Sequence, residues 1–177
     1  QDGSNPRGSL AFDGNNLLVG TGSSGGANNF GTIFTLDISD FSLTKLHDFS
    51  LPIEGSTPIS IHRNGVDFYG ITRLGGFYNT GTFFKITLDG TKEILHDFNP
   101  EIDGQNPNGD LFLADDGYYY GTSRFGGSFN SGTVFKISTT GELTVLHNFD
   151  GVSGQFPYGG VVKHSDGLIY GTTITGG

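Results

Sequence analysis

The sequence predicts an all-β protein built from tandem four-stranded antiparallel units of about 50 residues. Three observations lead there. The stretch GTVFKISTTGELTVLHNF at 132–149 returns as GTFFKITLDGTKEILHDF at 81–98 and, more loosely, as GTIFTLDISDFSLTKLHDF at 31–49. Each copy reads as two short strands around a turn, and each follows a second pair of strands. That second pair is an apolar stretch, a Gly-bearing turn, a stretch closing on Gly-Thr or Gly-Ile-Thr, then Gly-Gly, as in DLFLADDGYYYGTSRFGG at 110–127. Finally, no 11-residue window carries a convincing helical period.

Landmarks fix the repeat. The Gly-Thr glycines are Gly31, Gly81 and Gly132, the Leu-His pairs end at His47, His96 and His147, and prolines stand at Pro6, Pro58, Pro107 and Pro157. Their spacings run from 49 to 52 residues. The units are therefore 1–49, 50–99, 100–149 and a half unit, 150–177, within one domain, 1–177. Strand a falls at 9–12, 59–62, 110–114 and 160–164, and strand b at 17–20, 67–72, 118–122 and 168–173. Strand c falls at 32–36, 82–87 and 133–138, and strand d at 43–49, 92–98 and 142–149. These segments are rich in β-branched and aromatic residues, which suit a pleated, half-buried surface. Asp13-Gly14, Asn64-Gly65, Asp116-Gly117 and Asp166-Gly167 supply the positive φ of tight a–b turns, and Asp89-Gly90 and Thr140-Gly141 do so between c and d. The first unit has Ser39-Asp40-Phe41 there, so its turn must differ. Apolar residues occupy both phases in Tyr118-Tyr119-Tyr120 and Thr82-Phe83-Phe84, so both sheet faces must be covered. Units of this size stack radially as propeller blades, with a period close to that of kelch repeats.

The chain of 177 residues can bury a sizeable core. Its 31 glycines follow no Gly-X-Y period, which excludes collagen. A net charge of -9 without a Lys/Arg cluster argues against nucleic acid and against anionic membranes. No apolar run approaches a bilayer-spanning length, so direct membrane insertion is not expected. Cysteine is absent, which removes disulfides, thiolate zinc sites and thiol chemistry. With no methionine and a Gln1-Asp2-Gly3 start, the chain reads as a segment of a longer product.

The pattern of Asp103-Gly104, Pro107, Gly109, Asp116-Gly117, Tyr120-Gly121-Thr122, Gly126-Gly127, Gly132 to Ile137, Leu146-His147 and Phe149 resembles the GloVer-type, choice-of-anchor tandem repeats of bacterial secreted or surface proteins. Gly154, Pro157, Gly159, Asp166-Gly167 and Tyr170 to Thr173 continue it. The first unit departs most, with Val19-Gly20-Thr21 for Tyr-Gly-Thr and Thr35 for the strand-c lysine. The resemblance implies propeller-type repeats, a secreted, extracellular or cell-surface location, and no catalytic residue.

Candidate sites follow from residue types. His47, His96 and His147 recur at one position, as do Gly31, Gly81 and Gly132, and both sets read as structural. His62 and His164 end strand a and would face a ligand if strand a lines a channel, although two separated histidines make no metal site. Asp115-Asp116-Gly117 and Asp13-Gly14-Asn15-Asn16 lack calcium-loop spacing and read as turns; no cofactor is expected, with structural calcium left open. Glycoside chemistry needs two converging carboxylates, and Asp110, Asp67 and Glu54 lie at different unit positions. Gly22-Ser23-Ser24-Gly25-Gly26 has no following helix and is a loop rather than a phosphate cradle. The b–c loops, 22–30, 73–80 and 124–131, would form one rim carrying Phe30, Arg73, Phe77, Tyr78, Arg124, Phe125 and Phe129, a set that suits flat sugar rings or a protein partner. Three and a half units leave open sheet edges. The expected function is a non-enzymatic surface module contacting copies of itself or further repeats of its own chain, able to pair edge to edge into filaments. A carbohydrate-binding rim for surface glycans is the alternative, followed by a glycan-active enzyme with a central site.

Overall fold

The computed structural model describes residues 3–50 and 53–177. Strands β1 (Ser4–Phe12), β2 (Leu17–Ser24), β3 (Thr32–Asp37) and β4 (Leu43–Asp48) form one antiparallel sheet in sequence order. Strands β5 (Ser56–Asn64), β6 (Asp67–Leu74), β7 (Thr82–Ile86) and β8 (Lys92–Asp97) repeat it, as do β9 (Gln105–Leu113), β10 (Tyr119–Phe125), β11 (Thr133–Ile137) and β12 (Leu143–Asn148). The half unit breaks into two short ladders, β13 (Gln155–Pro157) with β16 (Thr173–Thr175) and β14 (Val162–Lys163) with β15 (Ile169–Tyr170). The protein is thus all-β, with three four-stranded units and a half unit. No helix among the described residues is long and apolar enough to cross a membrane.

Strand a begins three to five residues earlier than its apolar pattern suggests. The extra residues run through Asn-Pro or Thr-Pro pairs, which read locally as turns. They join the ladder because strand a lies at the edge of its sheet, where a proline costs no hydrogen bond. Pro6, Pro58, Pro107 and Pro157 sit opposite Gly22, Thr72, Ser123 and Thr173. A register shift follows each of the first three prolines and re-aims the rest of the strand.

The residue before three of the four prolines joins neighbouring units. Asn5, Thr57, Asn106 and Phe156 all have φ between 51° and 58°. This left-handed conformation is unfavourable for a β-branched threonine or a phenylalanine, and persists only where surroundings impose it. The amides of Thr57, Asn106 and Phe156 donate across the junction to the carbonyls of Phe30, Thr80 and Ser131, each at 2.8 Å. The following proline lies on Gly31, Gly81 or Gly132, whose φ values are +104°, +117° and +102°. A Cβ on Gly81 or Gly132 would come within 2.7 or 2.6 Å of Cδ of Pro107 or Pro157. The prolines and glycines that mark the repeat are therefore two halves of one joint.

Apolar side chains fill the gaps on either side of these joints. Val19, Ile33 and Phe49 of the first unit meet Ile61, Phe84 and Ile86 of the second. Tyr69, Phe83 and Phe98 of the second meet Leu111, Tyr119 and Phe135 of the third. Phe49 and Phe84 pack edge to face at 5.6 Å, and Phe98 and Phe135 at 5.1 Å. Burying a ring of this size contributes about 1.5–3 kcal/mol, so each unit depends on the next for its core. The first c–d turn differs as expected: Phe41 takes φ 61° and donates its amide to Asp37. The later turns instead close on Gly90 and Gly141.

Replacing Gly81 by alanine combines a disfavoured φ with a clash against Pro107, and is expected to cost about 2–4 kcal/mol in chemical denaturation. Gly65, at φ +67° with open space around it, is the control. Its alanine variant is expected to lose only about 1 kcal/mol.

Candidate functional site

The innermost strands β1, β5 and β9 bring side chains of the first two units onto one carboxylate of the third. Ser9 Oγ donates to Asp110 Oδ2 at 2.6 Å, and Ser60 Oγ donates to Oδ1 at 2.7 Å. His62 Nε2 donates to the same Oδ1 at 2.9 Å. Partial burial of Asp110 disfavours its charge, but the donors from His62, Ser9 and Ser60 outweigh it and bring the pKa to about 2. A small cavity of about 150 Å³ is lined by Asp110 together with Arg7, Ile59, Asn108 and Tyr158. The Asn108 amide donates to the Tyr158 carbonyl at 2.6 Å. Both serines and the histidine spend protons on Asp110, so the cluster ties three units rather than relaying a proton from serine to histidine. Asp67 and Glu54 do not join it: Asp67 faces Asn64 at the β5–β6 turn, and Glu54 lies 3.8 Å from His47. His164 is exposed and pairs with Asp166 at 3.1 Å.

His47, His96 and His147 each set their ring edge-on to the phenylalanine two residues later, at 5.2, 5.4 and 4.8 Å. His96 also binds Asp103 at 2.9 Å in the loop to the next unit. His47 is held below the usual histidine range by burial and by nearby Lys92. The Asp13 and Asp116 turns are local hydrogen-bonded hairpins: Asp13 Oδ1 accepts the amides of Asn15 and Leu17, and Gly117 donates to Ala114. Among the described residues no three His, Cys, Asp or Glu side chains converge as a metal cluster.

The b–c loops share one construction. Asp48, Asp97 and Asn148 at the ends of strands d accept the amides of Ala27, Phe77 and Ser128. Asn29, Asn79 and Asn130 adopt positive φ, and Asn29 and Asn130 cap Gly25 and Gly126. On this frame the seven rim residues divide. Phe77, Tyr78 and Phe129 are 79%, 44% and 61% exposed. Phe30 is half-buried against the first inter-unit core. Phe125 lies 5.2 Å from Phe156, with Arg124 stacked over it at 4.8 Å and over Tyr158 at 5.2 Å. Arg73 is half-buried with its Nε unpartnered.

Arg7, Asn108, Tyr158 and Lys92 were not singled out by the sequence. The first three follow the repeat prolines, where each unit has a different residue and no pattern shows. Lys92 takes the strand-d position of Leu43 and Leu143. Its Nζ sits over Phe49 and Phe84 at 5.2 and 5.6 Å and donates to the Glu54 carbonyl at 2.8 Å. Burial lowers its pKa to about 8 against the opposing pull of Glu54 and Asp97.

Radially arranged four-stranded units with tied inner strands and one loop rim define a propeller-type β protein. The chain belongs to the Gloeobacter/Verrucomicrobia repeat family, which matches residues 59–177. No curated protein matches it in sequence. Among solved structures it is similar to a chain of the nidogen/laminin complex, at 16% identity and TM-score 0.62 over 87% of this chain and 51% of that one. It is also similar to a gluconolactonase from Xanthomonas campestris, at 14% identity and TM-score 0.62 over 98% and 56%. The computationally designed Ika4 protein matches at 15% identity and TM-score 0.54 over 97% and 92%. The chain thus spans about half the length of the two natural proteins. At such identities the likeness concerns the fold, which serves interaction and enzymatic proteins alike.

Two pH dependences follow. The Asp110 pKa is lower folded than unfolded, so its stabilisation is full above pH ~4 and is lost as pH falls toward 2. Discounted for partial exposure, the loss is about 1 kcal/mol. Asp110→Asn should be less stable at neutral pH and lack this acid-side decline in denaturation midpoints. The Lys92 pKa is also lower folded, so the unfolded chain binds the extra proton between pH ~8 and ~10 and stability rises across that window. Lys92→Leu should abolish a rise of about 1–2 kcal/mol.

Proposed function

We propose that this chain is a non-enzymatic interaction module, one domain over 1–177, that works in a secreted or cell-surface setting and presents its b–c rim as the contact face. The observation that carries this is the contrast between rim and axis. Phe77, Tyr78 and Phe129 are exposed on loops fixed by hydrogen bonds, whereas Ser9, Ser60 and His62 are all engaged by Asp110. Rigid exposed aromatics bind at low entropic cost, which suits a protein partner or another copy of this chain. Resemblance to repeats of secreted and surface proteins supports the location. Edge-to-edge contact between copies is the form of self-association this reading includes, and a heterologous contact of that kind propagates into a filament.

A carbohydrate-binding rim is the second reading, favoured by the perpendicular Phe77–Tyr78 pair at 4.9 Å, which offers a flat face to a sugar ring. A glycan-active enzyme has less support, because neither Asp67 nor Glu54 lies with Asp110.

The test combines a Phe77→Ala, Tyr78→Ala, Phe129→Ala variant with particle sizing by light scattering and electron microscopy. Stability should change by no more than about 0.5 kcal/mol per site. Regular elongated particles of the native chain are the result expected for edge-to-edge contact, and weaker self-association or partner binding in the variant is the result expected for a rim contact. A monodisperse monomer with unchanged rim behaviour would contradict the assembly reading. Saturable binding to a glycan panel, lost in the variant, would establish the carbohydrate reading instead.

A further inference from the structure

Asparagine precedes glycine at two places in the chain, Asn64-Gly65 and Asn108-Gly109. The fold treats them oppositely. Asn64 pairs with Asp67 at the end of the β5–β6 ladder, and Gly65 and Val66 form the turn between them. Gly65 is exposed at φ +67°, with nothing within 4 Å of a Cβ built on it, and Val66 is 81% exposed. No turn or loop hydrogen bond among the described residues uses the Gly65 amide. Asn64 is half-buried, with its side chain beside the Tyr119 hydroxyl, which makes no well-formed hydrogen bond. Asn108, by contrast, is 5% exposed, and its side-chain amide is held by the Tyr158 carbonyl at 2.6 Å. Gly109 is wedged against the next inner strand: a Cβ on it would lie 2.3 Å from the Gly160 amide nitrogen. The aspartate–glycine turns are restrained too. At Asp89-Gly90, Asp116-Gly117 and Asp166-Gly167 the carboxylate accepts the amide two residues on, and the glycine amide donates to a carbonyl. Asn64-Gly65 has neither restraint.

We propose that Asn64-Gly65 is a site of self-modification, where Asn64 is converted to aspartate or isoaspartate through a cyclic imide with water as the only co-reactant. The Gly65 amide nitrogen bonds to Cγ of Asn64. The side-chain Cγ–N bond breaks, and ammonia leaves with the proton released from Gly65. Water then opens the imide at either carbonyl. Glycine permits this because no Cβ shields its nitrogen or restricts its backbone. The free amide supplies the nucleophile without the loss of a hydrogen bond, and the exposed turn admits water and solvent base. Asn108 reacts only from an opened state, since its amide must leave Tyr158 and Gly109 must leave Gly160. Aspartate at position 64 is the residue that the other a–b turns carry in Asp13, Asp116 and Asp166. It also sets a carboxylate opposite Asp67, where like charges repel. Isoaspartate lengthens one side of the turn and disturbs the pairing with Asp67.

The test holds the intact chain folded in warm, mildly alkaline buffer, beside a sample unfolded in guanidinium at the same pH and temperature. Peptide mapping by mass spectrometry follows the amide-to-acid mass gain at both sites over time. The folded rate at each site is taken relative to its own unfolded rate, which removes the effect of flanking residues. On that scale Asn64 should convert at least about tenfold faster than Asn108. A Gly65→Ala chain, which the open space around Gly65 admits, should convert more slowly at Asn64. Equal relative rates at the two sites, or an Asn64 that stays intact in the folded chain while the unfolded chain reacts, would overturn the proposal. An unchanged rate in the Gly65→Ala chain would point to direct hydrolysis and overturn the imide route.

Discussion

The structure depends on a joint repeated at each boundary between units. A residue held at positive φ sends its amide to the preceding unit's b–c loop, and the proline after it lies on the glycine that closes that loop. Neither half is stable alone. Left-handed threonine or phenylalanine is strained, and a glycine at φ above +100° is entropically costly. Joined, they set the distance and angle between successive sheets. That spacing lets Phe84 reach Phe49 and Phe135 reach Phe98. Hydrophobic burial then supplies most of the stabilisation, but the joint decides which surfaces meet.

The same spacing brings inner strands together at the axis, where the units cease to be interchangeable. Position 110 is aspartate where the equivalents are Ser9, Ser60 and Gly160, so one carboxylate receives donors from its neighbours. The outer ends of these strands are matched in a similar way. Lys163 binds the Asp116 turn at 2.6 Å, and Arg63 lowers the pKa of Asp13 by its charge after partial desolvation and local hydrogen bonds have acted. At the middle junction the turn carries the neutral Asn64. Adjacent units are therefore adapted to one another, which gives the order of repeats a physical meaning.

Much of this was legible in the sequence because it repeats. Strands c and d carry apolar residues at fixed spacing, and their bounds agree with the structure to within a residue. The start of strand a was hidden because Asn5-Pro6 and Thr57-Pro58 follow turn chemistry locally and enter the ladder only through contact with the preceding unit. The convergence on Asp110 was hidden for the opposite reason. It joins residues about 50 and 100 positions apart that differ between units, so no period reveals them. Composition could place aromatic residues on the rim but could not separate Phe30 and Phe125, which turn inward, from Phe77 and Phe129, which face solvent.

The central claim is that the joint between units is structural and forms only with the whole fold. Native-state hydrogen exchange at the amides of Thr57, Asn106 and Phe156 tests it most directly. These groups lie beside loops and would exchange quickly if the joint were incidental. The account predicts that Thr57 and Asn106 are protected nearly to the free energy of global unfolding, with Phe156 somewhat less protected at the half unit. Exchange of all three at the rate of exposed loop amides, while the strand cores stay protected, would contradict it.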